Sequence, residues 1–322
     1  MRNFDGVLFI DANQYVDLYR THTGKIQLAA LKEQQDYIFV TEGVVDEVQR
    51  NKVREAAGFL GRVFKTLQTS NLAVPTHLFS TTDNHVQQIQ DALKEDKDQI
   101  NIVNKESMEL AYTLLVQISR SEDEVSKALE ELFAKPNSPT DDELNRAKTR
   151  RERGSAPGKK SDPLGDQLNW EQILTQCSGK NKLWIITGDG DYATEYGGKM
   201  FLNAALYKDL ARLFQPTPEV FCFNNIPEGL KHFADINKVT ADNLPKPEEI
   251  EEIKRERDAL PPLGWLNTSM DDANMVALLA RSRRQMDPRL RHQLISQGDD
   301  NWILRFSAAD EVKAPEPDKT DK

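Results

Sequence analysis

The sequence predicts an α/β fold in which helices sandwich a parallel β-sheet. Four short apolar runs lie at residues 7–10, 37–40, 183–187 and 219–223, and segments with helical periodicity separate them. Strands buried on both faces of a parallel sheet are continuous apolar runs of this kind. Strands that alternate with helices are typical of one parallel sheet with right-handed crossovers.

Three of these runs are followed by a recognisable feature. The first, Val-Leu-Phe-Ile, leads directly into Asp11, and the second leads into Thr41, which is a suitable cap for a helix carrying Val44 and Val48. The third run precedes Gly188-Asp-Gly-Asp191. Further helices are predicted over residues 166–176 and 199–213.

A long, mainly helical insertion, at about residues 80–155, separates the second and third strands. Ser121 and Glu124 predict a capping-box start for a helix to about residue 133, and Thr140 and Glu143 predict another that Gly154 ends. Residues 1–235 would then form the main domain, and residues 236–308 a helical C-terminal region with helices ending near 258, 285 and 297. The tail, 309–322, is rich in proline and charge and is expected to be disordered.

Composition limits the possible functions. The apolar run near the N-terminus is too short for a signal peptide or a membrane span, so a cytoplasmic protein is expected. Two cysteines and five scattered histidines show no zinc-site spacing. The net charge of −10 argues against nucleic-acid binding, but metal-binding carboxylates contribute to that charge and bound cations would offset it.

Four carboxylates are predicted to meet at one edge of the sheet. Ligands of open parallel sheets bind at the carboxyl ends of the strands, where Asp11 and Asp189 both lie. Glu47 lies early in the helix after the second strand, and Asp166 opens the helix that precedes the third. Each acid also has a simpler interpretation, as a turn residue, a solvated helix acid or a helix cap.

A cation would relieve the repulsion among four converging carboxylates. Mg²⁺ and Mn²⁺ prefer oxygen ligands, and two such ions can activate water and stabilise a leaving oxygen. The predicted chemistry is therefore phosphodiester hydrolysis at a site formed by Asp11, Glu47, Asp166 and Asp189.

Basic residues concentrate just before Asp166. Seven of them stand against two glutamates in residues 143–160, and they include Arg150, Arg151, Arg153, Lys159 and Lys160. Such a run can hold phosphates. The alternative is a solvated helix and loop.

Four segments resemble, in order, the motifs of PIN-domain nucleases, and the third resembles those of a PIN-like branch of uncharacterised bacterial proteins. The segments are Phe9–Tyr19, Val44–Asn51, Pro157–Lys160 with Gly165–Glu171, and Ile186–Tyr192. The resemblance spans about residues 7–225, with the helical stretch as an enlargement.

The resemblance implies roles for particular residues. Asp11, Glu47, Asp166 and Asp189 would be the catalytic metal ligands, and Asp191 would bind metal through water or support the turn. Asn13 would orient Asp11, and Thr187 would support the turn that presents Asp189. Asp46 and Asp162 remain rivals of Glu47 and Asp166.

The resemblance also implies a divalent-metal-dependent endonuclease that favours single-stranded RNA over DNA. A toxin, a defence effector and an RNA-processing enzyme all fit this prediction, and the C-terminal helices are candidates for binding a protein partner or a second copy. The alternatives are a catalytically silent binding or regulatory protein on the same fold and an aspartyl phosphatase. The phosphatase is disfavoured because its chemistry usually requires a second aspartate two residues after the first, and Asn13 occupies that position.

Overall fold

The structure, a computed structural model, describes residues 4–65, 84–85, 88, 100–158, 164–260, 293–297 and 301–305. The chain divides into a unit ending at Pro261 and a second unit that begins at Pro262. Of the described helices, none is long and apolar enough to cross a membrane.

The described residues of the first unit contain a 3₁₀-helix at Gln35–Tyr37 and, numbered here in chain order, six strands and ten α-helices. They are β1 (Val7–Ile10), α1 (Ala12–Asp17), α2 (Gly24–Gln34), β2 (Ile38–Phe39), α3 (Glu42–Lys65), α4 (Ile100–Ser119), α5 (Glu124–Phe133), α6 (Asp141–Arg153), α7 (Gly165–Gln176), β3 (Lys182–Ile186), β4 (Ala193–Tyr196), β5 (Lys199–Leu202), α8 (Ala204–Leu213), β6 (Glu219–Phe223), α9 (Ile226–Asn237) and α10 (Pro247–Asp258).

Four parallel strands form the central sheet in the order β2-β1-β3-β6. Strand β2 lies on one side of β1, and β3, which follows much later in the chain, lies on the other side. The strand order therefore reverses between β1 and β3, which is where open α/β sheets form their ligand crevice. The predicted α/β class, with helices flanking a parallel sheet, is confirmed.

Two predicted helix starts are confirmed. The Thr41 hydroxyl accepts a hydrogen bond from the Val44 amide at 3.1 Å, one residue before α3 begins. Thr140 and Glu143 form the reciprocal capping box of α6, and Gly154 ends that helix with a φ of 65°. These caps were predictable because each depends on residues within one turn.

Two other predictions were wrong. Helix α5 is capped by Asp123, whose carboxylate accepts from the Ser126 amide, whereas Ser121 lies in the turn after α4 with a φ of 59°. The helix expected from Lys199 begins instead at Ala204. Residues 199–202 pair with β4 as an antiparallel ribbon, which is favoured because two glycines with positive φ make the turn between the strands.

The described part of the second unit is an antiparallel hairpin of β7 (Gln293–Gln297) and β8 (Asn301–Arg305). The helix expected to end near 297 is therefore wrong over β7. Gly298-Asp-Asp300, a run of residues common in turns, separates the two strands in the sequence. The helix expected at 270–285 and the tail from 309 lie outside the described residues.

The core lies on both faces of the central sheet. On one face, Trp184 packs against Phe221 and Phe233 at ring-centroid distances of 5.1 and 5.3 Å, and its indole N–H donates to His232. Trp170 is also completely buried. Both tryptophans therefore pack in the core and are not accessible for base stacking.

Helix α10 packs against the start of α2. The Glu256 carboxylate accepts hydrogen bonds from the His22 and Thr23 amides and from the Thr23 hydroxyl, the last at 2.8 Å. A carboxylate at this position satisfies amides that have no partner within the helix. The chain up to Asp258 therefore belongs to the first unit, although the sequence placed residues after 235 in a separate region.

Gly229 allows α9 to approach the sheet closely. A side-chain carbon at this position would overlap the Ile186 side chain in β3. We expect Gly229→Ala to lower the free energy of unfolding by about 1–3 kcal/mol through overpacking. Gly165→Ala is the control, because that helical site is open. The free energies of unfolding are measured in urea. Equal values for the parent and both variants would contradict the packing role of Gly229.

Candidate active site

Asp11 lies where β1 ends and α1 begins, at the reversal of strand order. Its carboxylate is only 4% exposed and accepts from the Ala12 amide at 2.8 Å and from the Asn13 side-chain amide at 2.6 Å. Its backbone amide donates to the Ile186 carbonyl in β3 at 2.9 Å. The end of β1 is thus fixed to the neighbouring strand, and the carboxylate direction is fixed as well.

Thr187 joins the two strand ends through its side chain. Its hydroxyl donates to the second carboxylate oxygen of Asp11 at 2.7 Å and accepts from the Asp189 amide at 2.9 Å. The carbonyl oxygen of the Asn13 side chain accepts from the Gly188 amide at 3.2 Å. Both residues therefore have contacts that suit the supporting roles implied by the resemblance.

The turn after β3 presents Asp189. Its carboxylate accepts from the Asp191 amide at 2.8 Å, and its carbonyl accepts from the Tyr192 amide at 3.2 Å. The Tyr192 hydroxyl then donates to the Asp166 carbonyl at 3.1 Å. Tyr192 therefore connects this turn to the first turn of α7. The sequence showed the aromatic residue but gave no sign of this contact.

Glu47 and Asp166 come from two helices that are tied together. The Thr41 hydroxyl donates to the Asn169 side chain at 2.7 Å, which joins the start of α3 to α7. Gly43 permits this approach, since an added side-chain carbon would lie 2.9 Å from the same Asn169 oxygen. The sequence did not predict this hydrogen bond, because its two residues are 128 positions apart.

The rival acids differ in their placement. Asp46 is exposed, whereas Glu47 is half-buried and faces the electrostatic fields of Asp166 and Asp189. Asp162 lies outside the described residues, so the choice between it and Asp166 stays a prediction. Asp191 is half-buried, and its amide supports Asp189.

The four acids influence one another electrostatically. Burial, and then the charges of Glu47 and Asp189, raise the pKa of Asp11 to about 7, although the Thr187 hydrogen bond opposes this. Burial and the charge of Asp166 raise the pKa of Glu47. Burial raises the pKa of Tyr192, and all four carboxylates add to the effect. The predicted acids therefore share one neighbourhood.

The carboxylates are not yet arranged as a ligand set. Within the described ranges, no group of three or more histidine, cysteine, aspartate or glutamate side chains stands in position to hold a metal ion. A shared cation would require the carboxylates to draw closer. The donor chemistry fits Mg²⁺ or Mn²⁺, because all four side chains offer hard oxygen ligands.

Arg150 does not lie free at the surface, contrary to its predicted role in holding nucleic acid. Its guanidinium is 10% exposed and pairs with Glu171 at 2.7 Å and Asp209 at 2.8 Å. Arg146 contacts the same Glu171 at 2.8 Å. These pairs hold α6 against α7 and α8, so two residues of the basic run are engaged in packing.

The rest of the basic run is divided. Arg151 is half-buried and Arg153 is exposed, whereas Lys159 and Lys160 lie outside the described residues. A groove of about 720 Å³ along α6 and α7 contains Arg146, Arg153 and Arg212 but also Asp142, Glu171 and Asp209. This groove therefore carries both charges, although the sequence over residues 143–160 is mainly basic.

The arrangement of strand-end acids on this sheet agrees with a comparison to protein families. A family model described as PIN domain matches residues 8–192, which is more than half of the chain. The chain belongs to the PIN domain family. The match begins in β1 and ends at Tyr192, so it includes all four candidate acids. No curated protein and no solved structure matches the chain.

Asp11 should make the stability of this PIN domain depend on pH. Its folded-state pKa of about 7 lies above the ordinary 3.8, so between these values the folded protein retains a proton that the unfolded chain releases. In EDTA, stability should therefore fall as pH rises from about 4 to 7, by up to about 4 kcal/mol from this group. In urea unfolding, Asp11→Asn should reduce the change of the free energy of unfolding with pH. The same pH dependence in both proteins would contradict the raised pKa of Asp11.

The ion pairs predict different effects for two nearby arginines. Arg150→Ala removes the most buried cation that contacts the Glu171 and Asp209 carboxylates. Because Glu171 keeps Arg146 and Asp209 keeps Arg212, the free energy of unfolding should fall by about 2 kcal/mol. Arg153→Ala, on the exposed face of the same helix, should change it by less than about 0.5 kcal/mol. Chemical unfolding of both variants tests this, and a neutral Arg150 variant would contradict the packing role.

Proposed function

We propose that the chain is a divalent-metal-dependent endonuclease that hydrolyses phosphodiester bonds and favours single-stranded RNA over DNA. The observation that carries the proposal is the shared neighbourhood of Asp11, Glu47, Asp166 and Asp189 at the strand-order reversal of a PIN domain. Buried carboxylates that raise one another's pKa destabilise the fold, so a cation that neutralises them is the simplest reason for their placement.

Asp11, Glu47, Asp166 and Asp189 would hold the cation, with Asp191 close by. When bound, Mg²⁺ or Mn²⁺ would supply a neutralising charge, an activated water and stabilisation of the leaving oxygen. Asp11 has one oxygen committed to the Ala12 amide and the other to Asn13 and Thr187. This restraint holds its carboxylate in a fixed direction at the crevice.

The supporting side chains would preserve the shape of the site. Thr187 keeps the ends of β1 and β3 in register, and the Thr41–Asn169 hydrogen bond keeps the helices that carry Glu47 and Asp166 together. Restraints of this kind reduce the reorganisation that a reaction requires. Asn13, Thr187 and Asn169 are therefore proposed as positioning residues.

Nucleic acid would approach beside the start of α7. The candidates for contacting its phosphates are Arg151, Arg153, Lys159 and Lys160, since Arg150 is engaged in ion pairs. The preference for single-stranded RNA rests on the PIN domain match and the earlier sequence resemblance. A protein of net charge −10 should bind nucleic acid weakly unless cations neutralise the acidic site.

A second candidate is a catalytically silent binding protein on the same fold. One observation favours it, namely that the described acids are not positioned to hold a metal ion as they stand. Millimolar Mn²⁺ distinguishes the two, because a ligand that binds only the folded state raises the melting temperature. A rise that Asp11→Asn removes supports the endonuclease, and an unchanged melting temperature supports the silent protein.

Cleavage assays test the proposal directly. Purified protein should cut single-stranded RNA when Mn²⁺ is added, and single-stranded and duplex DNA measure the preference. Asp11→Asn should lower the rate by at least about 100-fold because it removes a charge that holds the cation.

Asp46→Asn is the matched control, since this neighbouring acid is exposed and lies outside the cluster, and its rate should stay near that of the parent. Cleavage that survives Asp11→Asn, or that EDTA does not stop, would contradict the proposed site.

A further inference from the structure

The ribbon of β4 and β5 carries its aromatic side chains on the face that meets solvent. Tyr196 is 81% exposed and Phe201 is 54% exposed, which makes them the two most exposed large apolar residues that the structure describes. Large apolar side chains normally lie on the buried face of a ribbon, so exposed ones can mark an interaction surface.

The strand register assigns these residues to one face. Thr194 pairs with Phe201 and Tyr196 pairs with Lys199, and alternate pairs of a ribbon share a face. The opposite face contains Ala193, Met200 and Leu202, which are buried or half-buried against the protein. The ribbon therefore has a clear inner face, and the outer face with Tyr196, Lys199 and Phe201 has no cover within the described chain.

The outer face contains a cation but no acid. The carboxylate of Glu195 lies on the inner face and accepts a hydrogen bond from the Asn224 side chain at 2.6 Å. The net charge of the protein is −10, yet this face carries two aromatic rings and one lysine. This combination complements a nucleic-acid strand, whose bases stack on aromatic rings while its phosphates attract lysine.

The ribbon is attached directly to the candidate active site. Asn203, which follows β5, donates from its backbone amide to the Tyr192 carbonyl at 2.8 Å and from its side chain to the Asp191 carbonyl at 3.2 Å. The base of the ribbon is thus bound to the turn that presents Asp189. The ribbon is therefore connected to the part of the chain that carries one of the four acids.

We propose that the outer face of this ribbon is a stacking platform for single-stranded nucleic acid, with Phe201 and Tyr196 each receiving one base and Lys199 contacting the backbone. The two rings lie two ladder positions apart, about 7 Å along the ribbon. Sheet-borne aromatic residues stack two or three unpaired bases in this way in other RNA-binding folds. The platform rests on the proposed function and specifies how the substrate is held.

Binding of fluorescent single-stranded RNA and DNA to full-length Asp11→Asn protein tests the platform, since this background prevents cleavage. Adding Phe201→Ala or Tyr196→Ala should weaken binding roughly 5- to 100-fold for each ring. Phe201→Trp should retain the affinity, whereas Tyr196→Leu, which stays apolar, should lose it. Tyr207→Ala removes an exposed aromatic residue outside the ribbon and should bind like the parent.

An oligonucleotide with abasic sites separates stacking from charge. It should bind the parent more weakly than the intact strand does, and the alanine substitutions should then cause little further loss. Equal losses on both oligonucleotides, or full affinity in the leucine variant, would overturn the stacking proposal.

Other outcomes distinguish the platform from the proposed nuclease. If wild-type protein cleaves RNA, and the alanine substitutions made in the wild-type background leave binding and cleavage unchanged, the platform is wrong but the nuclease stands. If wild-type protein neither binds nor cleaves, both proposals fail. A dimer in sedimentation that the alanine substitutions dissociate would show that the face binds a second copy and would also overturn the platform.

Discussion

The hydrogen bond from Thr187 to Asp11 joins the two strand ends on which the site depends. Strands β1 and β3 are separated by about 170 residues in the sequence, yet they are neighbours in the sheet. The strand order reverses between them. The Thr187 hydroxyl donates to Asp11 and accepts from the Asp189 amide. One side chain therefore sets the spacing of two candidate metal ligands and couples their turns.

This arrangement opposes stability. Burial and neighbouring carboxylates raise the pKa of Asp11 to about 7, although several hydrogen bonds favour its charged form. A fold selected only for stability would place an apolar or amide side chain here. The hydrogen bonds of Asn169 and Tyr192 hold the start of α3, the start of α7 and the Asp189 turn together despite the repulsion among the carboxylates. These unfavourable electrostatics support the proposal that a cation binds between the acids.

The sequence predicted the parts of this structure that depend on local pattern. The four sheet strands and the capping box of Thr140 could be read directly, because apolar runs and caps involve neighbouring residues. The pairing of Arg150 with Glu171 and Asp209 could not, since nothing local indicates which charges meet across helices. The ribbon of β4 and β5 was missed because Lys-Met-Phe-Leu also fits the helix that follows.

The loss of Arg150 from the predicted nucleic-acid surface changes how substrate binding must be explained. Two arginines of the basic run hold helices together, and the groove beside them contains acids as well. Phosphate contacts alone would then give little affinity in a protein of net charge −10. Stacking does not depend on net charge, because every base has an apolar face. An acidic protein that used its carboxylates to bind metal would therefore gain most from aromatic contacts, and the proposed platform lies on a ribbon whose base is bound to the turn that carries Asp189.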